Sequence, residues 1–444
     1  MKTFLRSTLL IAGILLLSSQ PVRAIDIMEK DGWKFKFNGL AVGYFYNDSS
    51  RSMTETPGSP PVARQGTTDG DNGRTTFSSR PSRFGFTAFA PTTEGGWKTK
   101  GFIEADFMGY DPTPGSTAGN SENSFQNNST LRIRHAYLNG EKNGWQILVG
   151  QYWSLLAWGE DYALTNLALP PVTGVVQMRN TQFRVAKITP LSETIDFQAG
   201  LAVTRPPQSN AEIPAGEWAT RLFFKNRKAG FTIWSQDQHV EDMSIAVSGA
   251  VRSFAVGTTR NTTDQTRYTG NVVLISGMIP ILASSNGTDY HNTMSLAGMF
   301  STGKGYADTF PGYNGNMPQY NYSSGVQANL DASEGGLLIN GGSFALINLQ
   351  AYSAQLQYFL PRGPLENVVM MVGYGNLYSN NIKDMVPSSG KIAYNESEVL
   401  VGNIFYDFTS RIRGGLELMH HETHYVDGVN GKNDRIFAMG MYRF

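Results

Sequence analysis

Three groups of residues in this chain have types and spacings that could do chemistry. His420, His421, Glu422 and His424 form HHETH, one residue short of the HExxH spacing that sets two zinc ligands on one helical face. On a strand these side chains alternate between two faces, so loop-end histidines in contact with water are the simpler reading. Asp69-Gly-Asp-Asn-Gly73 starts like a calcium loop but lacks the later glutamate. No serine carries the signature of a nucleophile with its base. The third group is Arg132 and Arg134, about 7 Å apart on one face of an alternating run, with Glu104 and Asp106 in the same phase of another. Such a set can brace a wall with ion pairs or present arginine forks to passing anions. The two readings are compatible.

The elements that must hold these groups are strands. LRIRHAYL and WQILVGQYWS alternate apolar and polar residues with period two, and Asn139-Gly-Glu-Lys-Asn-Gly144 joins them. Next comes LLAWGEDYALTNLALPPVTGVV, too aromatic and acidic for a solvent loop. The expectation is two strands lining a water-filled barrel, with residues 155–177 folded back inside to narrow it.

Composition agrees. Residues 1–24 read as a signal peptide: Lys2 and Arg6, an apolar run from Leu9 to Leu17, and Val22-Arg-Ala24 as cleavage site. Their removal takes away three positive charges and no acids, moving the formal net charge from 0 to −3. That leaves no basic excess for nucleic acid. An exported chain with no cysteine has no disulfide framework, so burial and hydrogen bonding must stabilise it. Residues 25–444 contain no linker and almost no helical periodicity. The mean hydropathy of −0.27 does not exclude a membrane, because barrel strands carry their apolar half in alternation.

Sixteen strand-like runs are predicted, among them 80–90, 97–109, 131–140, 145–154, 217–227, 230–239 and 268–281. Their connections alternate between short turns, such as PTTEGG, NGEKNG, NRKAG and PRGPL, and long loops at 48–79, 110–130, 155–177 and 303–345. This is the pattern of a transmembrane antiparallel β-barrel in a bacterial outer membrane. Residues 245–257 also alternate but would make an odd seventeenth strand, so they are assigned to the fifth loop or outside the wall. The chain ends Tyr442-Arg-Phe444, and the terminal Phe with an aromatic two before it resembles the recognition signal of outer-membrane barrels. Trp145 and Trp153 are expected on one outer face, roughly 21 Å apart in height, as interfacial girdles.

Inward phase gives twelve basic residues, Arg83, Lys98, Lys100, Arg132, Arg134, Arg184, Arg221, Lys225, Arg411, Arg413, Arg435 and Arg443. Against them stand five acids, Glu104, Asp106, Asp196, Asp407 and Glu417. The expected constriction combines Arg132, Arg134, Arg184, Arg221, Arg411, Arg413, Glu104 and Asp106 on the wall with Glu160 and Asp161 on the inserted segment. A basic lumen of this kind favours small anions. Thr99, Gly101, Ala105 and His135, expected on the outer face, are poor lipid contacts and point to protein there.

SRFGF (82–86), KGFIEADFMG (100–109), LRIRHAYL (131–138), VGQYWS (149–154), GLEL (415–418) and YRF (442–444) together resemble the DcaP-like family of trimeric outer-membrane porins. The resemblance implies a homotrimer of sixteen-stranded barrels, a folded-in third loop and a preference for small anions such as dicarboxylates; the residues themselves point to no cofactor, metal or catalytic group. Family members often carry an N-terminal periplasmic extension, for which Ile25–Gly32 leaves no room, and Glu160 and Asp161 add acid to the eyelet. Two other classes compete: a transporter for hydrophobic compounds, which needs an apolar lumen, and an outer-membrane barrel enzyme.

Overall fold

The computed structural model describes residues 24–52, 62–109, 130–159, 161–165, 167, 173–176, 178–206, 213–257, 265–310, 337–340, 343–385 and 394–444. The wall strands are β1 (Trp33–Asp48), β2 (Arg74–Ser78 continued by Arg83–Phe89), β3 (Lys98–Gly109), β4 (Thr130–Lys142), β5 (Trp145–Trp153), β6 (Arg179–Pro190), β7 (Ile195–Thr204) and β8 (Ala215–Phe231). They continue as β9 (His239–Gly257), β10 (Gln265–Leu282), β11 (Thr293–Lys304), β12 (Asn348–Phe359), β13 (Val368–Ser379), β14 (Tyr394–Asp407), β15 (Ile412–Tyr425) and β16 (Asn430–Arg443). Each pairs antiparallel with its neighbours, and β1 closes onto β16 with Leu40 opposite Arg443 and Asp48 opposite Arg435. Closure is what lipid demands, since an open edge there would strand its backbone polar groups.

The two pieces of β2 both pair with β1, Arg83–Phe89 along its first half and Arg74–Ser78 along its second. Arg80, in the break between them, donates to the carbonyls of Phe107 and Gly109 on β3 at 3.1 Å each. Ile25–Lys30 forms a ribbon with the start of β1 through Asp31 and Gly32, both at positive φ as a tight hairpin turn requires. It lies on the side of β1 that β16 leaves unpaired.

Sixteen strands stand as expected, but two of them differ from the pattern read in the sequence. Residues 217–227 and 230–239 are not separate strands around a NRKAG turn. Residues 217–231 lie in one strand, β8, whose register against β9 shifts between Phe224 and Lys228, and of the second run only Gly230 and Phe231 belong to it. The polar run there is a bulge, which mimics a turn in composition. Residues 245–257 are neither loop nor outside the wall. They lie in β9, paired with β8 and β10. One strand split and one left out had cancelled in the count.

The outer face is apolar, with Leu131, Ile133, Leu138, Val149, Phe183, Leu201, Val273, Ile275, Leu416, Leu418 and Ile436 all exposed. An apolar surface this extensive needs lipid or protein against it. Trp145 belongs to it at 48% exposure, with the Lys187 ammonium 5.2 Å from its ring. Trp153 does not form the second girdle. The chain turns inward there, burying the indole beside Arg179 and the His135 ring. His135 is itself turned in, contrary to the outward phase. Glu104 pairs with His135 and Ala105 with Ile133, so Arg134 is the extra residue of a bulge. That bulge puts Arg134 and His135 on the same side, both buried.

Candidate functional site: a lumen with two inward segments

The chain leaves the wall after β5 and enters the lumen, held at its entry by a carboxylate on β8. Glu217 accepts from Ser154 Oγ at 2.9 Å, Leu155 N at 2.7 Å and Asn180 Nδ2 at 3.1 Å. A single 3-10 turn, Leu156–Trp158, ends at Gly159, with Ala157 and Trp158 at positive φ. The segment then follows the inner wall. Ala157 N donates to Ser248 on β9 at 3.1 Å, Thr165 N to Gln355 on β12 at 2.7 Å, and Leu167 N to Glu417 on β15 at 2.9 Å.

Its apolar side chains Leu156, Tyr162, Leu164, Val175 and Val176 pack on Ala246, Val272, Leu274, Met299, Val399, Val401 and Met419. This part of the inner wall is therefore apolar, because a protein segment covers it, not water. Gly375 shows how close the approach is: a Cβ there would stand 1.9 Å from the Thr173 carbonyl oxygen.

A second segment enters from the opposite end, and nothing in the periodicity announced it. The connection between β8 and β9, residues 232–238, folds into the lumen instead of turning in solvent. Arg413 grips it, donating from one nitrogen to the carbonyls of Ile233 at 3.0 Å and Trp234 at 3.2 Å. The rest of that guanidinium holds Asp407 at 2.6 and 2.8 Å. Arg443 donates to the Gln236 carbonyl at 2.8 Å and lies 3.1 Å from Asp237. Trp234 is buried with Leu167, Phe359, Phe405, Phe437 and Met441, so the tips of the two segments share one apolar cluster. The available clue was Arg413, an inward cation with more donors than Asp407 could use.

The water-facing remainder is the charged wall of β2 to β8. Asp106 holds Arg132 at 3.0 and 2.6 Å, Arg134 bridges Glu104 at 2.6 Å and Asp106 at 3.2 Å, and Arg83 approaches Glu104 at 3.6 Å. Within this ladder Arg134 is a brace with 2% side-chain exposure, whereas Arg132 shows 37% to the lumen. Arg221 pairs with Asp161, tying the inserted segment to the wall, and also donates to Gln198 at 2.9 Å. Lys225 pairs with Asp196 at 2.8 Å.

Arg184 differs from all of these. It is 5% exposed, lies 5.1 Å over the Tyr152 ring, and has no ion pair or hydrogen bond among the described residues.

Three expected members do not join this wall. Arg411 sits exposed in the short turn before β15, directed at Tyr442 on the outer face, because the turn breaks the alternation. Arg413 is inward but fully committed to Asp407 and the second segment. Glu160 lies outside the described residues. Alternation also undercounted the acids. Asp48 is buried against Arg435 at 2.6 Å, Glu217 anchors the inserted segment, and Asp308 pairs with Arg252 on the strand that had been left out.

HHETH is divided by the pleat. His421 is fully buried in the lumen wall, within 2.8 Å of Ser397 Oγ, while His420, Glu422 and His424 face outward. Outside, Glu398, Glu422 and His424 bring ligand-type atoms within 4.8 Å of one another. Tyr374 and Asn430 already donate to the two carboxylates at 2.5 and 2.6 Å, and Lys432 stands 3.3 Å from Glu422.

No family model and no curated protein sequence matches the chain. Solved structures do match it. The outer membrane channel DcaP of Acinetobacter baumannii superposes with a TM-score of 0.62 at 17% identity, covering 94% of this chain and 99% of that one. An anion-selective porin from Comamonas acidovorans reaches 0.52 at 8% identity over 93% of this chain and all of the other (100%). Pseudomonas putida OprB reaches 0.50 at 9% identity over 92% and 94%. The sequence resemblance to DcaP-like porins therefore holds at the level of fold, and the chain has the closed-barrel architecture of bacterial outer-membrane channels along nearly its whole length.

Proposed function

We propose that the protein is an outer-membrane porin, exported by its signal peptide, that passes small hydrophilic solutes passively and prefers anions such as dicarboxylates. The observation that carries this is the charged inner wall, where Arg132 is 37% exposed to the lumen and Arg184, though buried, has no ion pair among the described residues. A guanidinium fork matches a carboxylate with two parallel donors, so a dicarboxylate can engage two arginines in succession. Contact must stay weak for the solute to leave again. The apolar part of the inner wall is covered by the inserted segment, which disfavours a pathway for hydrophobic compounds. The fold it shares with a channel and with an anion-selective porin is in keeping with this reading.

The assembly we infer is a homotrimer. On the outer face of β2 to β5, Ala88, Gly101 and Ala136 line a hollow of about 480 Å³ between Phe86, Ile103, Leu138 and Val149. Small residues there suit a neighbouring subunit better than lipid. Native mass measurement in mild detergent tests it, and a monomer alone rules it out. For selectivity, reversal potentials across a planar bilayer under a salt gradient are decisive. Replacing Arg132 and Arg184 together with Gln should move the potential towards cations, most at low salt where screening is weak. An unchanged potential would remove the basis of the anion preference.

A further inference from the structure

We propose that the β8–β9 connection, residues 232–238, is a second constriction at the end opposite the long loops, with the buried Trp234 anchoring the turn and the exposed Gln236 facing the passage. The proposal rests on the channel reading above. Short barrel turns ordinarily sit in solvent, where water satisfies their backbone. Here Thr232, Ile233 and Trp234 are buried inside the barrel, and the carbonyls of all three accept hydrogen bonds from side chains.

Gln357 closes both backbone groups of Thr232, donating to its carbonyl at 2.9 Å and accepting from its N–H at 3.1 Å. Arg413, with no side-chain exposure, spends its remaining donors on this turn. A buried guanidinium is costly to desolvate unless its fork is fully used, so the socket is built to keep the turn inward. The Arg83 guanidinium lies 5.2 Å over the Trp234 ring, placing the indole against the charged wall as well as the inserted segment.

Gln236, the exposed apex, lines a cavity of about 220 Å³ together with Asp161 and Arg221. A solute passing the Arg221–Asp161 pair therefore meets this turn next. The inserted segment narrows the barrel from one end and the turn narrows it from the other.

Conductance of single channels in planar bilayers tests the proposal. Trp234→Ala should raise conductance and admit larger oligosaccharides in liposome swelling. The chain has no cysteine, so Gln236→Cys gives one thiol for a methanethiosulfonate reagent bearing a trimethylammonium group. Labelling should cut conductance by about half or more, as an added bulky cation narrows the passage. Complete labelling, verified by mass, with unchanged conductance overturns the proposal even if Trp234→Ala fails to assemble. A wild-type barrel that never conducts instead sinks the channel reading and takes this one with it.

Discussion

The hydroxyl of Thr165 donates to the backbone carbonyl of Thr232 at 2.9 Å. This bond joins a segment that enters the barrel from one end to a segment that enters from the other. Gln357, on the wall behind them, donates to the same hydroxyl at 2.7 Å and to the same carbonyl at 2.9 Å. The inward segments are thus one buried polar network, and such networks are costly when half satisfied.

Replacing Gln357 with Leu should therefore destabilise more than its volume suggests. The Thr232 N–H would lose its acceptor inside the barrel, a cost of about 1–3 kcal/mol. We expect a lower thermal midpoint of the folded band in detergent and noisier open-channel current. A variant with wild-type midpoint and current noise would show that the network contributes nothing.

The arginine ladder should divide by burial. Arg134→Ala leaves Glu104 and Asp106 facing each other with less compensation, a loss of about 3–5 kcal/mol for a broken buried pair. Arg132→Ala leaves Asp106 its bond to Arg134 and removes a part-exposed cation. We expect the first variant to fold poorly and the second to fold normally with weaker anion preference. Refolding yield and reversal potential, measured side by side, distinguish them. Equal stability of the two would contradict the assignment.

Glu217 should control the entry of the inserted segment. Glu217→Ala strands three donors, from Ser154, Leu155 and Asn180, and the inserted segment should lift from β8. Faster hydrogen exchange at Leu155 and Ala157, with raised conductance, is the expected result. Protection equal to wild type at both amides would assign the anchoring elsewhere.

A pH-dependent clamp lies at the mouth that carries the long loops. Arg64, in the loop after β1, holds Asp427, in the turn before β16, through bonds of 2.9 and 2.5 Å. These bonds lower the Asp427 carboxyl below its ordinary value. A carboxylate lowered by folding stabilises above the unfolded value, about 3.9 for Asp, and loses that contribution as pH falls through the folded value. Asp427→Asn should thus speed exchange of the Gln65 and Gly66 amides at neutral pH. Wild type should approach the variant only in strong acid. Identical exchange at pH 7 would show that the pair holds nothing.

Much of this protein was legible in the residues alone. Period-two alternation, the order of short and long connections and the terminal Phe444 specify a closed barrel, because lipid outside and water inside impose opposite demands on successive side chains. The segment after Trp153 was expected inside because it is too aromatic and acidic for a solvent loop, and among its described residues Leu156, Tyr162 and Leu164 are buried. Alternation failed where one extra residue resets the phase. The bulge at Arg134 turned His135 inward, and the bulge after Phe224 made one strand look like two.

Only the tertiary structure decided which inward charges are available. Arg134, Arg413 and Arg435 are consumed by Glu104 and Asp106, by Asp407 and by Asp48, while Arg184 has no ion-pair partner among the described residues. It also decided that residues 232–238 fold into the lumen, held by Arg413 on β15 and Gln357 on β12. Pairing of that kind depends on distances between strands far apart in sequence, whereas alternation reports only the face on which each residue stands.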